Sequence, residues 1–435
     1  MRKLFTLLIA VAFTGSIQAQ TSELIISEYI EGWSNNKALE LYNPTPYDVA
    51  LSDFRLIRYS NGEDVPPPQD TWTVSLPDYT LKPYETFVIV IDQRNPAGTG
   101  QDAPVWSQLG QRADAFLCPE YEVSEVMYFN GDDAIVIEKD EGGGEYIIND
   151  IFGRWGPPAP AEAKFVDSEK MDNAWTDVAP YVTGEGVAIT AEHTMIRKSN
   201  VSTGITSNPA LFNPLAEYDT LSANTFYMLG WHEFDNAPAN ETPVITNESL
   251  IFAVSPSATN GTQIATIEAA DAEDDNLKFY IDYGNFIYIN DVRIEPFELN
   301  KTTGVLSLID ETGLAPEVLD TFYLTLNITD GHSQLGPVTA MVIVTDEPVS
   351  INSLESTNLK VYPNPVSGSN FSISDSKAFS SVSILKLTGQ VIHRMDLSNP
   401  LFQKIISLEN QKQGIYMIQV GYPDGTKITQ KIIVQ

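Results

Sequence analysis

Three acidic side chains in the middle of this chain have the spacing of a cation site. Asp271 and Glu273 stand two residues apart in AADAEDDN, and Asp330 precedes Gly331 in NITDGHS. Two acids at i and i+2 on a loop can aim at one ion, and a neighbouring loop can supply a third oxygen. Calcium suits such a set because it is a hard cation that takes about six to eight oxygens. A solvated acidic turn explains the same residues without an ion.

A second acidic set is Glu28, Glu31, Glu40, Asp132 and Asp133. Phosphodiester hydrolysis would need such carboxylates, or imidazoles, to hold a metal, together with a general base. The chain has only four histidines, His193, His232, His332 and His393, and no HxxxH, HExxH or His-Asn-His grouping. Alternating strand faces and a polar turn account for the five acids more simply, so no catalytic residue is assigned. Trp33, Trp72, Trp106, Trp155, Trp175 and Trp231 all fall in the same N-terminal region. Most should be core, with one or two at loop tips free to stack on sugar rings.

The charge narrows the partners. The net charge is −33. From Ser353 onward there are eight basic and five acidic residues, and the opening segment carries Arg2 and Lys3. That leaves 53 acids against 15 bases in the body. Such a body repels phosphate backbones and anionic membranes, so no direct nucleic-acid binding is expected. Solubility alone also accounts for it.

The elements that must position these groups are strands. Short alternating apolar runs recur as LIISEYI, ALELYN, TFVIVID, DAIVIEKD, YLTLNITD, AMVIVTD and SILKLTGQVI, with Gly, Pro, Asn and Asp between them. That pattern predicts an all-β chain of tandem immunoglobulin-like β-sandwich modules. Asn35 and Asn36 in EGWSNNK are turn residues that tolerate left-handed backbone. Asn130-Gly131 reads as a tight turn in which both residues accept positive φ. The lone cysteine, Cys118, forbids an intrachain disulfide, so stability must come from burial.

The chain opens MRKLFTLLIAVAFTGSIQAQ. A basic start, a short apolar run and small residues make a secretory signal at 1–19, cut between Ala19 and Gln20. The run is too short for a membrane span, which needs about 20 apolar residues. Polar, Pro- and Asn-rich stretches mark linkers at 235–242 and 347–356, giving modules at 21–234, 243–346 and 357–435.

Three resemblances follow from these landmarks. The succession LIISEYIEGWSNNKALELYN, LKPYETFVIV, FNGDDAIVIEK and TMIRKSNV resembles the lamin-tail domain (LTD) of secreted bacterial proteins over 22–232. It implies an immunoglobulin-like sandwich that acts in binding or anchoring, often attached to secreted nucleases, phosphatases or adhesive repeats. Asp271-Ala-Glu273, Thr303-Gly304-Val305-Leu306 and Asp330-Gly331 resemble a cadherin-like domain, which implies possible calcium. That family's Leu-Asp-Arg-Glu stretch is missing, with Asp310, Glu311 and Glu317 poor substitutes. VYPNP, LTGQ, GIYMIQV and the terminal KIIVQ resemble the C-terminal sorting domain of Bacteroidetes type IX secretion cargo. In that family the domain is read by the outer-membrane machinery and is commonly removed.

The expected protein is therefore a non-enzymatic, secreted or cell-surface binding and adhesion protein, exported through the periplasm. Its partners would be the type IX secretion machinery and an extracellular polymer or protein. The alternative is an accessory or divergent member of a secreted metal-dependent nuclease or phosphoesterase system.

Overall fold

The computed structural model describes residues 22–60, 70–156, 174–179, 181, 186–346, 359–364, 366, 370–386, 391–408, 414–423 and 427–434. The Ala19/Gln20 cleavage site, the 347–356 linker and the LTGQ motif lie outside them. The chain divides into two compact units, Met1–Pro348 and Val349–Gln435.

The first unit holds two large apolar cores. The N-terminal one is enclosed by a six-stranded and a four-stranded sheet. In the six-stranded sheet the order is Tyr218–Ser222, His193–Arg197, Ile25–Glu31 (β1), Lys37–Tyr42 (β2), Thr86–Ile91 and Ala115–Leu117; only the last pairing is parallel. The four-stranded sheet runs Glu145–Phe152, Ala134–Gly142, Phe54–Tyr59 and Thr73–Ser75.

β1 and β2 are buried along their whole length. Their alternating sequence would suit a sheet wet on one face, but both faces are covered here. Leu39 and Leu41 join the main core, whereas Ile25 and Tyr42 form a small cluster with Phe234. The ring of Tyr42 meets His232 at 4.8 Å and Phe234 at 5.5 Å. The chain leaving the sandwich thus folds back over the sheet's outer face. A bulge between Ile26 and Glu28 turns Glu28 and Glu40 into a cross-strand pair.

Two turns form by other means than their sequence suggests. In EGWSNNK the left-handed residue is Ser34, at φ 59°, and neither asparagine. The asparagines instead use their amides: Asn35 Nδ2 donates to the carbonyls of Gln101 and Ala103, both at 2.7 Å. Neither Asn130 nor Gly131 has positive φ. Gly131 is needed because a Cβ there would lie 2.5 Å from the backbone nitrogen of Ala191.

The second core lies between a four-stranded sheet, Ile251–Val254, Gln334–Val344, Thr321–Thr329 and Lys278–Tyr283, and a three-stranded sheet, Gln263–Thr266, Val305–Leu308 and Phe297–Leu299. Thr321–Thr329 keeps strict alternation, with Phe322, Leu324, Leu326 and Ile328 all in the core. Gly304 makes the Thr-Gly turn at φ 66°, with Ile267 O 2.3 Å from where its Cβ would be.

The second unit is one five-stranded sheet, with Lys360–Tyr362, Asn370–Lys386, Gly414–Gly421 and Lys427–Val434 in order and Val391–Ser407 paired to the long second strand. Register breaks around Phe379 divide that strand in two. Its first half pairs with Lys360–Tyr362 and its second with Gly414–Gly421. Phe371 and Ile373 of one half and Val382 and Ile384 of the other share one core.

Candidate functional site

The five N-terminal carboxylates separate into two groups. Glu28 and Glu40 face each other across β1 and β2 and are fully buried. Glu40 accepts from Ser27 Oγ at 2.8 Å and from the Gly230 amide at 2.6 Å. Burial pushes its carboxyl up to about 8, against the pull of those two hydrogen bonds. Glu28 is raised well above the usual range, by burial first and by Glu40 second. Its Oε1 has no partner among the described residues. Each carboxyl thus holds its proton more tightly than an exposed one does.

Glu31, Asp132 and Asp133 form the other group. Lys37 Nζ lies 2.5 Å from Glu31 Oε1, and the Glu192 amide donates to Glu31 Oε2. Asp133 Oδ2 takes Arg58 Nε and the Asn130 amide, both at 2.8 Å. Asp132 is pushed up to about 7 by burial and then by the neighbouring Asp133. The histidines are dispersed. His193 Nδ1 contacts Ala191 O at 2.6 Å. His232 is buried against Tyr42, and burial followed by the Arg197 charge lowers its imidazole to about 3.

Sequence reasoning missed the cations that answer these acids. Arg112 Nη2 lies 2.5 Å from Asp282 Oδ1, while its Nη1 donates to Leu229 O at 2.7 Å and its guanidinium sits 3.8 Å from the centre of Tyr280. Asp114 takes Lys301 Nζ at 2.6 Å, Lys278 Nζ at 3.1 Å and the Val88 amide at 2.9 Å. Burial alone would raise Asp114; the charges of Lys278 and Lys301 outweigh it and bring it below the usual range. These contacts tie the two cores of the first unit together. Deeper in the N-terminal core, Asp150 receives Arg197 Nη1 at 2.5 Å and the Ile26 amide at 2.8 Å. Arg197 stands in the TMIRKSNV stretch and Lys37 in EGWSNNK, both quoted motifs.

The middle acids lie on neighbouring loops. Asp271 Oδ1 accepts from the amides of Glu273 and Asp275, each at 3.0 Å, whereas its Oδ2 is buried without a partner among the described residues. Glu273 Oε2 takes the Glu241 amide at 3.2 Å. Asp330 accepts from the amides of His332 and Ser333, from Ser333 Oγ and from Asn240 Nδ2, at 2.6–2.9 Å. Its oxygens therefore already face donors where a cation would need free lone pairs. Asp275, beside them, is raised by burial and by Asp271, Asp330 and Glu273. Among the described residues, no group of three or more His, Cys, Asp or Glu is placed to hold a metal ion.

Of the tryptophans, Trp72 and Trp175 are buried and Trp155 stacks on Tyr59 with 4.5 Å between ring centres. Trp33 and Trp106 are exposed.

This arrangement defines an all-β modular protein whose buried polar groups bind its own strands together. Residues 17–147 match the Lamin Tail Domain family, and residues 360–435 match the Secretion system C-terminal sorting domain family. The chain thus carries a lamin tail domain and a type IX secretion sorting domain. The latter directs it to the type IX machinery and so to secretion or the outer cell surface. The strands His193–Arg197 and Tyr218–Ser222 complete the lamin-tail sheet beyond the matched residues.

No curated protein matches the chain. Among solved structures, human protocadherin-24 EC1-2 is 16% identical, with 45% of this chain and 99% of that chain covered at a TM-score of 0.20. Drosophila N-cadherin EC1-3 is 13% identical, covering 45% and 67% at a TM-score of 0.22. CopC from Methylosinus trichosporium OB3b is 19% identical, covering 18% and 93% at a TM-score of 0.15. No helix among the described residues is long and apolar enough to cross a membrane.

Proposed function

We propose that this is a non-enzymatic binding and adhesion protein, whose lamin tail domain engages an extracellular polymer or protein partner while the middle module serves as a spacer. The observation that supports it is where the carboxylate lone pairs go. Glu31 is taken by Lys37 and the Glu192 amide, Asp133 by Arg58 and the Asn130 amide, and Glu40 by Ser27 and Gly230, while Glu28 Oε1 is left without a partner among the described residues but is buried. A hydrolytic site needs such oxygens free for a metal or a proton in flight. The rival is an accessory or divergent member of a secreted metal-dependent nuclease or phosphoesterase system.

Calcium in the middle module is a second reading, favoured by the unpartnered, buried Asp271 Oδ2. For Asp330 to join Asp271 and Glu273 on an ion, its present donors would have to turn away.

One set of measurements on the mature chain tests both readings. Assays on DNA, phosphoesters and glycans, with and without divalent metal, should show no turnover, and a pull-down from culture medium should capture a partner. Metal-dependent hydrolysis lost in Asp133→Asn would overturn the non-enzymatic reading. A ligand seen only by the folded state adds about 2.7 kcal/mol at a hundredfold excess over Kd. An unchanged melting temperature in millimolar calcium would therefore remove the calcium reading.

A further inference from the structure

We propose that the aromatic groove between the lamin tail domain and the middle module is a binding site for a neutral polysaccharide. This rests on the binding-protein reading and gives it a site and a ligand class.

The groove is a cavity of about 370 Å³ with walls from both modules. Trp106 and Tyr227 come from the first; Tyr283, Phe286 and Tyr288 come from the second. Tyr283 and Tyr288 are 64% and 58% exposed, and Trp106 and Tyr227 across from them are exposed as well. Trp33 extends the strip, packing edge-on against Trp106 at 5.9 Å. The volume lies in the range of small-ligand sites, which favour module junctions.

The walls are held in place before any ligand arrives. Asn36 Oδ1 accepts the Trp106 amide at 2.9 Å, and Asn36 Nδ2 donates to Asn224 Oδ1 at 2.9 Å. Asn224 Oδ1 also takes the Trp33 amide at 3.1 Å. Gly32 permits this, since a Cβ there would stand 2.5 Å from Asn224 Oδ1. Opposite, buried Asn285 exchanges two hydrogen bonds with the backbone of Phe297. Asn290 and Asp291, both at positive φ, then close the two-residue hairpin that presents Tyr288. Such preorganisation lowers the ordering cost of binding.

The chemistry selects a neutral sugar chain. The C–H faces of a pyranose ring are apolar and weakly positive, and they fit the negative faces of aromatic rings. The hydroxyls at the ring edge need planar polar partners. Gln108 and Asn224 line the groove and supply side-chain amides of that kind. The charged groups of the wall are already answered: Asp282 by Arg112, and Arg293 by Glu295 at 2.8 Å. With a net charge of −33 around it, the groove disfavours a polyanion.

The test is affinity electrophoresis of the mature full chain through gels containing a β-1,3-glucan, a β-1,4-glucan, a xylan or a mannan, with alginate as the polyanionic control. At least one neutral polymer should retard the chain, and alginate should not. Trp106→Ala, and separately Tyr283→Ala with Tyr288→Ala, should each weaken binding by about tenfold or more, or 1.4 kcal/mol. The exposed but distant Tyr47→Ala should bind as the parent does. The two groove variants alter different modules, so a folding failure in one leaves the other informative. Retardation unchanged in both overturns the site but leaves a binding protein. Capture of a polyproline peptide that depends on Trp106, in place of glycans, keeps the groove as a binding site but overturns the polysaccharide assignment. No retardation by any neutral polymer overturns the polysaccharide assignment, and the pull-down then judges the wider reading alone.

Discussion

The junction between the lamin tail domain and the middle module has two ends built on opposite plans. At the sealed end, Asp114 pairs with Lys278 and Lys301 and Arg112 pairs with Asp282, and Glu28 and Glu40 lie buried beside them. At the open end, Trp106, Tyr227, Tyr283 and Tyr288 are exposed to solvent. Asp282 belongs to both, as an ion-pair partner of Arg112 and a wall of the groove. Charges inside a junction fix register, since each demands one partner at one distance. Rings left outside it add nothing to that register and are available to a ligand. Fixing the modules and meeting a partner are therefore tasks of different residues, and substitutions can separate them.

The largest effect should come from Asp114→Ala. It would leave the ammonium groups of Lys278 and Lys301 buried with no carboxylate, and breaking a buried pair this way costs about 3–5 kcal/mol. Calorimetry of the mature chain should show a large fall in melting temperature, with the two cores of the first unit melting separately. A loss no greater than that of a surface substitution would mean that the junction's register does not depend on these charges. Asp114 also has a pH signature. Its carboxyl is depressed in the fold, so its contribution is complete above the ordinary carboxylate range and fades as the pH falls through its lowered value.

Little of this junction was legible in the sequence. Thr321–Thr329 was, because one face meets a core and the other does not, so Phe322, Leu324, Leu326 and Ile328 alternate with polar or exposed neighbours. The tail strand Gly414–Gly421 was legible for the same reason, with Tyr416, Ile418 and Val420 inward. β2 carries the alternation Leu39-Glu40-Leu41 and β1 sets Ser27 and Glu28 among apolar residues, yet Glu28 and Glu40 are inside. What covers them arrives from residues near 230 and 280, and a local period cannot register it. Arg112 and Asp114 likewise meet partners more than 160 residues away, at 282, 278 and 301. The Asn pair in EGWSNNK was noticed, but for its backbone tolerance. Its actual work, holding Trp106 and Asn224 by side-chain amides, depends on loops the motif does not contain.

A middle-sized effect should follow from Glu40→Gln, which keeps the acceptor for Gly230 and removes the ionisable group. Glu40 is held near 8 in the fold against an ordinary value of 4.5. Its protonated form is the one the fold prefers, so stability is complete below the ordinary value and declines as the pH rises through about 8. Glu28, raised in the same direction, and Asp132, near 7, add to that slope, while Lys278 and Arg112 oppose it. The variant and the parent should melt alike at about pH 5 and diverge by a few degrees at about pH 9, with the variant the more stable. Parallel melting curves across that range would show that Glu40 ionises without penalty and that the sealed end is wetter than its burial indicates.

The smallest effect on stability belongs to the open end. Tyr288 reaches from a short hairpin into solvent, with its ring centre 6.0 Å from that of Phe286 and Arg293 directly across the strand pair. Tyr283 is more exposed still, touching Phe286 edge-on at 5.4 Å. Neither ring belongs to an apolar core. Replacing both by alanine removes two weak ring contacts, and surface substitutions of this kind usually stay within about 0.5 kcal/mol each. The hairpin should survive, because its turn is set by Asn290 and Asp291 and its base by the Asn285 bonds to Phe297. The measurement is a melting curve of the double variant, expected to lie within about two degrees of the parent. A loss comparable to that of Asp114→Ala would make these tyrosines part of what joins the modules. The open end would then be a second seam, and the division of labour along the junction would fail.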